Sequence, residues 1–449
     1  MEKSEYRSSG RDEQRLPRRY WWLKRIVVGY VIFVMVVMGV RWRAGVVAER
    51  RLGGEIAKLK AKGEPVTLED FQEPAVGDEE NAGAYLRRAE ELLAKARKVP
   101  QDEKDLDSLP MALPLSAGDV ALMEKLLSRH ADVLAEVRAA RGKKGVNWGM
   151  KTQSPAMGIM LPWLSGQGAM SYLLQSAAQL AHQKGDDAAA VEYVRDMLVI
   201  SRAVDRTPFL VCHFVVMSIS NRAAGVVGDI APQLRIAAAG ERLAGGKPAS
   251  REQVRALVGD LMDDRTMQDA LALAMQGERM LQLDTAYSVA GGKVNLSDLG
   301  SQRWPMGPAD AMTAAGGWVA RPMLLNEGRQ MLIWSNELVE ACREADGPAA
   351  AAKVPTVPKT ATFRGPLMAM MVPALGPALG RHYVGVFQMR KAGIELAERL
   401  YEMENGRKAG RVEDLVPRYL KEVPKDPVTG GGAVMGLGAG TRASTRAAK

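Results

Sequence analysis

The sequence is poor in the residues that most often carry metal or nucleophilic chemistry: 449 residues hold two cysteines and four histidines. Cys212 and Cys342 cannot build a disulfide framework, and neither belongs to a CxxC pair, so both read as small buried apolar residues. Among His130, His182, His213 and His382, no two stand at the i, i+4 spacing that would set two imidazoles on one helix face, and no HExxH occurs. His130 falls on an apolar helical face and reads as a core histidine. Cys212 and His213 are neighbours, but successive side chains on a helix point about 100° apart, so they are not a nucleophile and its base by geometry.

Other signatures are missing too. There is no GxSxG elbow. Gly292-Lys293 is followed by Val294, with Tyr287 where a phosphate loop needs its first glycine, and the glycines from 430 to 440 open no helix. The acidic pairs Glu79-Glu80, Glu90-Glu91, Asp186-Asp187 and Asp263-Asp264 lie on helical segments and read as caps or solvated faces. No catalytic residue, cofactor site or metal ligand can be nominated.

Charge is absent from one place and concentrated next to it. Residues 1–62 carry 15 Lys and Arg against 6 Asp and Glu, which leaves 46 of each for the rest of the chain. A nucleic-acid binder would carry its positive stripe on the folded body, so the net +9 argues for lipid headgroups beside a membrane segment and against a nucleic-acid partner. From Ile26 to Val40 no residue is charged. Tyr20, Trp21, Trp22 and Trp42 suit the two interfaces, and Lys24, Arg25, Arg41 and Arg43 can snorkel, so residues 26–43 are expected to span a membrane. Bulk and charge from Gly39 to Arg43 argue against signal cleavage. A cytoplasmic basic tail (1–25) and an extracytoplasmic body follow, because long domains translocate largely regardless of charge.

What is present is helical periodicity, with almost no strand alternation. Residues 44–77 read as a stalk and connector, with Val47, Ile56 and Leu59 on the apolar side of an amphipathic helix that Pro65 ends. Asp78 begins a helix bearing Leu86, Ala89 and Leu93. Ser116 opens one carrying Val120, Met123, Leu127, His130, Leu134 and Val137 as far as Gly142. Leu173, Ala177, Leu180 and Ala181 precede Gly185, after which Asp186 caps a partner with Val191, Val194 and Leu198; this is a helical hairpin. It looks like a unit of a tetratricopeptide-type array, although no second copy recurs at a fixed period. More helix is expected over 209–228, 251–290 with breaks, 322–345 and 380–405. Gly316-Gly317 and the Ala/Pro stretch 347–358 interrupt the pattern, the second as an internal linker. Two helical units result, 78–238 and 250–427. Of 25 methionines, the clusters Met157/Met160 and Met368/Met370/Met371 suit a core better than a binding groove; residues 367–379 could alternatively lie against a membrane.

One C-terminal stretch resembles a known pattern. Tyr401, Asn405-Gly406-Arg407, Glu413-Asp414-Leu415-Val416-Pro417, Tyr419-Leu420, Val423-Pro424 and Asp426-Pro427-x-Thr429-Gly430 are similar to the segment that follows the long helix of type II secretion pseudopilins. The same segment closes many uncharacterised membrane-anchored bacterial proteins, whose layout Gly63-Glu64-Pro65 and Asn81-Ala82 also resemble. The match covers about thirty residues and marks a module, not an activity. Locally, Asn405-Gly406 should stop a helix and Pro417 a short turn. Lys408 and Ala409 depart from the aromatic and proline of the pattern, no prepilin cleavage signal is present, and no metal is carried over. Residues 428–449 become glycine-rich and then a basic Ala/Arg tail, expected to be disordered in the manner of a shifted or truncated reading frame.

The expectation is therefore a mostly α protein: a single-pass transmembrane helix, a helical bundle or irregular helical-hairpin array, and a short non-helical C-terminal motif. The resemblance implies a bacterial inner-membrane setting. Membrane lipid would contact residues 26–43, and the body would bind an envelope protein as a non-catalytic scaffold. The rivals are a hydrolase-type enzyme assembled from dispersed residues such as His382, and a lipid or membrane-surface binder.

Overall fold

The computed structural model describes residues 21–98, 104–106, 108–109, 112–237, 246–295, 317–357, 366–372 and 375–432. The basic tail before Trp21 and the Ala/Arg tail after residue 432 lie outside the described residues. The chain is mostly helical. Its only strands among the described residues are β1 (Ile236–Ala237) and β2 (Ala249–Ser250), which pair in parallel.

Helix α1 runs unbroken from Trp21 to Ala61. Its N-terminal part is apolar enough to cross a membrane, with mean hydropathy 2.1 and none of that window buried. Beyond Arg43 the same helix turns a face of Gly45, Ala48, Leu52 and Leu59 inward. Their three- and four-residue spacing makes a single stripe. The stripe meets helix α10 (Gly317–Cys342), so the segment expected as a free-standing stalk is packed against the body, and Val47 is exposed instead of inward. The two helices run parallel. Gly45 faces Pro322, Glu49 pairs with Arg321, Leu52 lies by Gly328, Glu55 pairs with Arg329, and Glu64, just past the helix, pairs with Arg343. Pro322 sits inside α10 because the helix starts five residues before it, at Gly317.

Helix α2 (Ala82–Arg97) is capped by Asn81, whose side chain accepts from Gly83 N, and buries Leu86, Ala89 and Leu93 as their spacing requires. The long helix expected after Ser116 is two helices, α3 (Ala117–Arg129) and α4 (Ala131–Ala140). His130, at φ −110° and ψ 27°, breaks the run, and its ring is buried at the joint. The break rotates Met123 and Leu126 onto one face and Val133 and Val137 onto the next.

The hairpin α5 (Leu164–Gln183) and α6 (Asp187–Val204) forms as expected, with Gly185 at φ 80° and Asp186 accepting from Ala189 N. Helix α7 (Leu210–Ile230) also passes a length and hydropathy test for a span, but most of its apolar window is buried inside the body. Helices α8 (Arg251–Leu261), opened by a Ser250/Gln253 capping box, and α9 (Asp264–Ala290) follow. Helix α9 runs antiparallel to α10, with Arg279 on Asn336, Gln282 on Ser335 and Ala286 against Gly328.

The Ala/Pro stretch read as a linker is a helix, α11 (Gly347–Lys353). Asp346 caps it through Ala349 N, Ala350 is buried, and Gly347 N donates to Pro427 O at 2.7 Å. Helix α12 (Pro366–Met371) and the start of α13 (Gly376–Asn405) bury Leu367, Met368, Val372, Leu375, Ala378 and Leu379, so this segment packs inside the body and not on a membrane.

Apolar side chains gather into two cores. One joins α2 to α8 with the C-terminal half of α13 and the turn Val412–Leu415. The other joins the inner stripe of α1 to α9, α10, α11, α12 and the start of α13. Helix α13 therefore threads both. It ends at Gly406, φ 68°, as the Asn-Gly pair demands. Asn405 Nδ2 then donates to Tyr401 O and Tyr419 Oη, which fixes the corner that follows.

Candidate functional site

Three buried polar groups that are far apart in sequence meet between α6, α7 and α13. Asp205 sits at the C-terminal end of α6, where its N–H still bonds Ser201 O. The chain turns through Thr207, Pro208 and Phe209 and re-enters helix at Leu210, which places His213 on the first turn of α7. This turn is pressed onto α9 at Gly277. A Cβ there would lie 1.5 Å from Pro208 O, so the approach demands glycine. At Gly385 α13 also comes close to α7, where a Cβ would stand 2.7 Å from Met217 Sδ and the methionine would have to shift. That close crossing brings His382, one turn earlier, against α7.

The result is a hydrogen-bonded chain. Asp205 Oδ1 lies 3.0 Å from His213 Nδ1, and His213 Nε2 lies 3.2 Å from His382 Nδ1. Residual exposures of 5%, 1% and 1% shut all three from solvent. Burial pushes the Asp205 carboxyl above the usual range, against the pull of His213. Burial, the neighbouring His213 and Arg390 hold His382 well below the usual imidazole range, so it is a neutral imidazole near pH 7. His382 also meets the Tyr383 ring edge-on at 5.1 Å. The arrangement can store a proton and pass it along three groups. The adjacent Cys212 supplies no nucleophile, because burial raises its thiol to about 12.

The remaining residues singled out by the sequence are placed apart from this chain. His130 is a core histidine whose Nε2 is buried without a partner, and burial lowers its proton affinity. His182 Nδ1 lies 2.6 Å from buried Asp187, which also accepts from Arg235 Nε at 2.8 Å. This knots the α5–α6 turn to the strand segment. Cys342 is buried in α10, its thiol likewise raised to about 12. Asp263 stands at the N-terminus of α9, where its carboxylate accepts from the Thr266 hydroxyl and not from a backbone N–H. Gly292-Lys293 forms a turn after α9. Met368 is in the core, whereas Met157 and Met160, expected there, are exposed.

Two further constellations had no signal in the sequence. Buried Asp196 accepts from Arg138 and Arg141, Arg141 also reaches Glu192, and Asp260 binds Arg195 and Arg202, which joins α4, α6 and α8 through charge. Arg279, wholly buried, donates to Pro65 O at 2.7 Å, to Glu64 at 3.2 Å and to Asn336 at 2.8 Å, and so locks the end of α1 to α9 and α10. On the α1–α10 seam, Arg51, Gly54, Glu55, Lys58 and Arg329 line an open cleft of about 370 Å³. Glu55 pairs with Lys58 and Arg329 and is held below its ordinary range by them. Among the described residues, no group of three or more His, Cys, Asp or Glu is placed to hold a metal ion.

Comparison with known proteins gives no match to a family model, to a curated protein or to a solved structure. The site therefore has to be read from its own geometry.

Proposed function

We propose that this chain is a single-pass membrane protein of the bacterial cytoplasmic membrane. In this reading its helical body stands on the extracytoplasmic side and acts as a scaffold that binds other envelope proteins. The observation that carries the reading is the continuity of α1. An unburied apolar stretch framed by Trp21, Trp22, Trp42 and Arg43 passes without a break into a stripe built into the second core, and the Arg279–Glu64–Arg343 cluster fixes its far end. A helix of that kind sets the height of the body above the bilayer. The neutral charge of the body suits protein contact better than nucleic acid. The C-terminal corner, with its likeness to the pseudopilin segment, points to the same compartment.

The hydrolase reading has one specific observation behind it, the convergence of His382 with His213 and Asp205. Their burial counts against it, since a substrate would need α7 and α13 to part. Protease accessibility in spheroplasts together with residue-specific photo-cross-linking tests the proposal. Body residues are expected to be cleaved from outside, and exposed positions such as Tyr172 on α5 and Val211 on α7 to give the same cross-linked partner. A body protected from external protease, or a purified chain that turns over a small molecule while cross-linking to nothing, would overturn it.

A further inference from the structure

The Met157/Met160 pair is the sequence feature that the scaffold reading leaves unused. Residues 152–181 contain no Asp, Glu, Lys or Arg. Within them Met160 is 78% exposed, more than any other large apolar side chain described, including Trp42 on the anchor at 69%. Met157 is 46% exposed, Pro162 is exposed, and Pro155, Ile159 and Leu161 are half-buried beside them. A lone exposed methionine needs no explanation, but an uncharged eight-residue run with its two longest side chains in water does.

The loop is held in this pose. Ala156 N donates to Asp284 Oδ2 at 2.6 Å, the Ser154 and Ser288 hydroxyls lie 3.4 Å apart, and Gln153 Nε2 donates to Gly158 O at 2.8 Å. On its far side Trp163 stacks on Trp148 with ring centroids 3.9 Å apart. These contacts tie the tip to the last two turns of α9, and α9 ends at the membrane-proximal side of the body. There Ala286, Gly328 and Leu52 share one level across α9, α10 and α1. Leu52 lies nine residues past Arg43, about 14 Å along the helix at 1.5 Å per residue. The headgroup band takes up roughly 5–8 Å of that height. The loop stands two helix spacings to the side of α1, so an ordinary tilt of about 20° lowers it by roughly 6 Å.

We propose that residues 155–162 form a second membrane contact, with Met157 and Met160 resting in the headgroup boundary of the bilayer that α1 crosses and Lys151 meeting lipid phosphate beside them. The proposal rests on the anchoring reading above. It makes the body lean toward the loop, with the anchor and the methionine tip as two feet on one surface. Methionine's flexible thioether suits such an irregular boundary.

The test uses the full chain in nanodiscs of phosphatidylethanolamine and phosphatidylglycerol with spin-labelled lipid as quencher, carrying the label at a shallow position for the loop and at a deep position for the span. The buried thiols of Cys212 and Cys342 leave an environment-sensitive maleimide dye to one introduced cysteine. Met160→Cys is compared with Ile32→Cys in the span and with Val357→Cys, exposed two residues past Pro355, whose carbonyl accepts from Trp334 on α10 farther from the span than Gly328. The dye at 160 is expected to be quenched on the order of twofold or more relative to 357, and strongly at 32. Quenching at 32 with none at 160 would overturn the contact and leave the anchor standing. A blue shift at 160 without lipid quenching would also overturn it, in favour of a protein occupant. Absence of quenching at 32 would instead sink the anchoring reading. Met157→Cys repeats the measurement at a second position.

Discussion

Glu327 offers the sharpest test of the packing around α10. Its side chain is buried, one oxygen accepts from Met368 N at 2.7 Å and holds the start of α12, and Oε2 is buried without a partner. Burial raises its carboxyl from 4.5 to about 7, although the Met368 and Leu367 amides pull the other way. A folded-state value above the unfolded one means that the folded chain keeps the proton longer. Below pH 4.5 both states are protonated and the shift costs nothing; between 4.5 and 7 stability falls as pH rises; above 7 the full cost is present. At about 1.4 kcal/mol per pH unit this amounts to roughly 3 kcal/mol. Glu327→Gln keeps an acceptor for Met368 and cannot ionise. Whatever fixed penalty its amide carries is the same at every pH, so the test lies in the change with pH. Thermal melts of the full chain in detergent should show the variant gaining on the parent by about 3 kcal/mol between pH 4.5 and 8. For a folded region of about 400 residues this is a relative shift near 4 °C. A variant that melts at a constant offset from the parent across that range would refute the burial argument.

Four other outcomes follow from the same geometry. His382 is held neutral by burial, so its folded proton affinity lies below the unfolded one and the parent should lose stability as pH falls below about 6.5; His382→Leu should flatten this slope by up to one proton in pH-dependent melts. Asp205→Ala should cost about 1–3 kcal/mol in denaturant unfolding, because it leaves His213 Nδ1 without its buried partner. Gly277→Ala places a methyl within bonding distance of Pro208 O, and unfolding in denaturant should show a loss of about 3 kcal/mol or more, whereas Gly225→Ala, with open space around it, should be tolerated. Thiol titration at pH 8 should find neither Cys212 nor Cys342 reactive until the chain is unfolded, with two equivalents released then.

What could be read from the sequence was local. Asp186, Ser116 and Ser250 announce helix starts by their own side-chain oxygens, and Gly185 and Gly406 announce stops by a backbone region that other residues enter at a cost. The apolar N-terminal helix was legible for the same reason, since a run of uncharged residues between tryptophans carries its meaning without a partner. Periodicity misled where a neighbour decided the outcome. The break at His130 leaves the apolar spacing intact, Ala and Pro at 347–353 look like a tether until Asp346 caps them, and Met157 and Met160 were given to a core that does not reach them. The Asp205–His213–His382 chain was beyond local reading. Its two histidines, His213 and His382, stand 169 residues apart in sequence and meet where Gly277 and Gly385 let neighbouring elements approach closely. Arg279 is similar: an arginine on an amphipathic helix reads as solvated, and only Glu64, Pro65 and Asn336 around it reverse that.

With α1 crossing a membrane as proposed, its unbroken course has a bearing on how the body could be released. Shedding proteases usually sever a loose tether and free an intact domain, but here the first bend after the bilayer comes at Gly63, once the helix has already contributed Leu52 and Leu59 to the interior. A cut in that first bend, at Lys62–Gly63, would leave Ala48, Leu52 and Leu59 with the N-terminal fragment, strip the inner wall from the neighbouring helices and lay Leu324, Leu325 and Leu332 open to water. Release and collapse would then be one event, and turnover would begin from the whole chain.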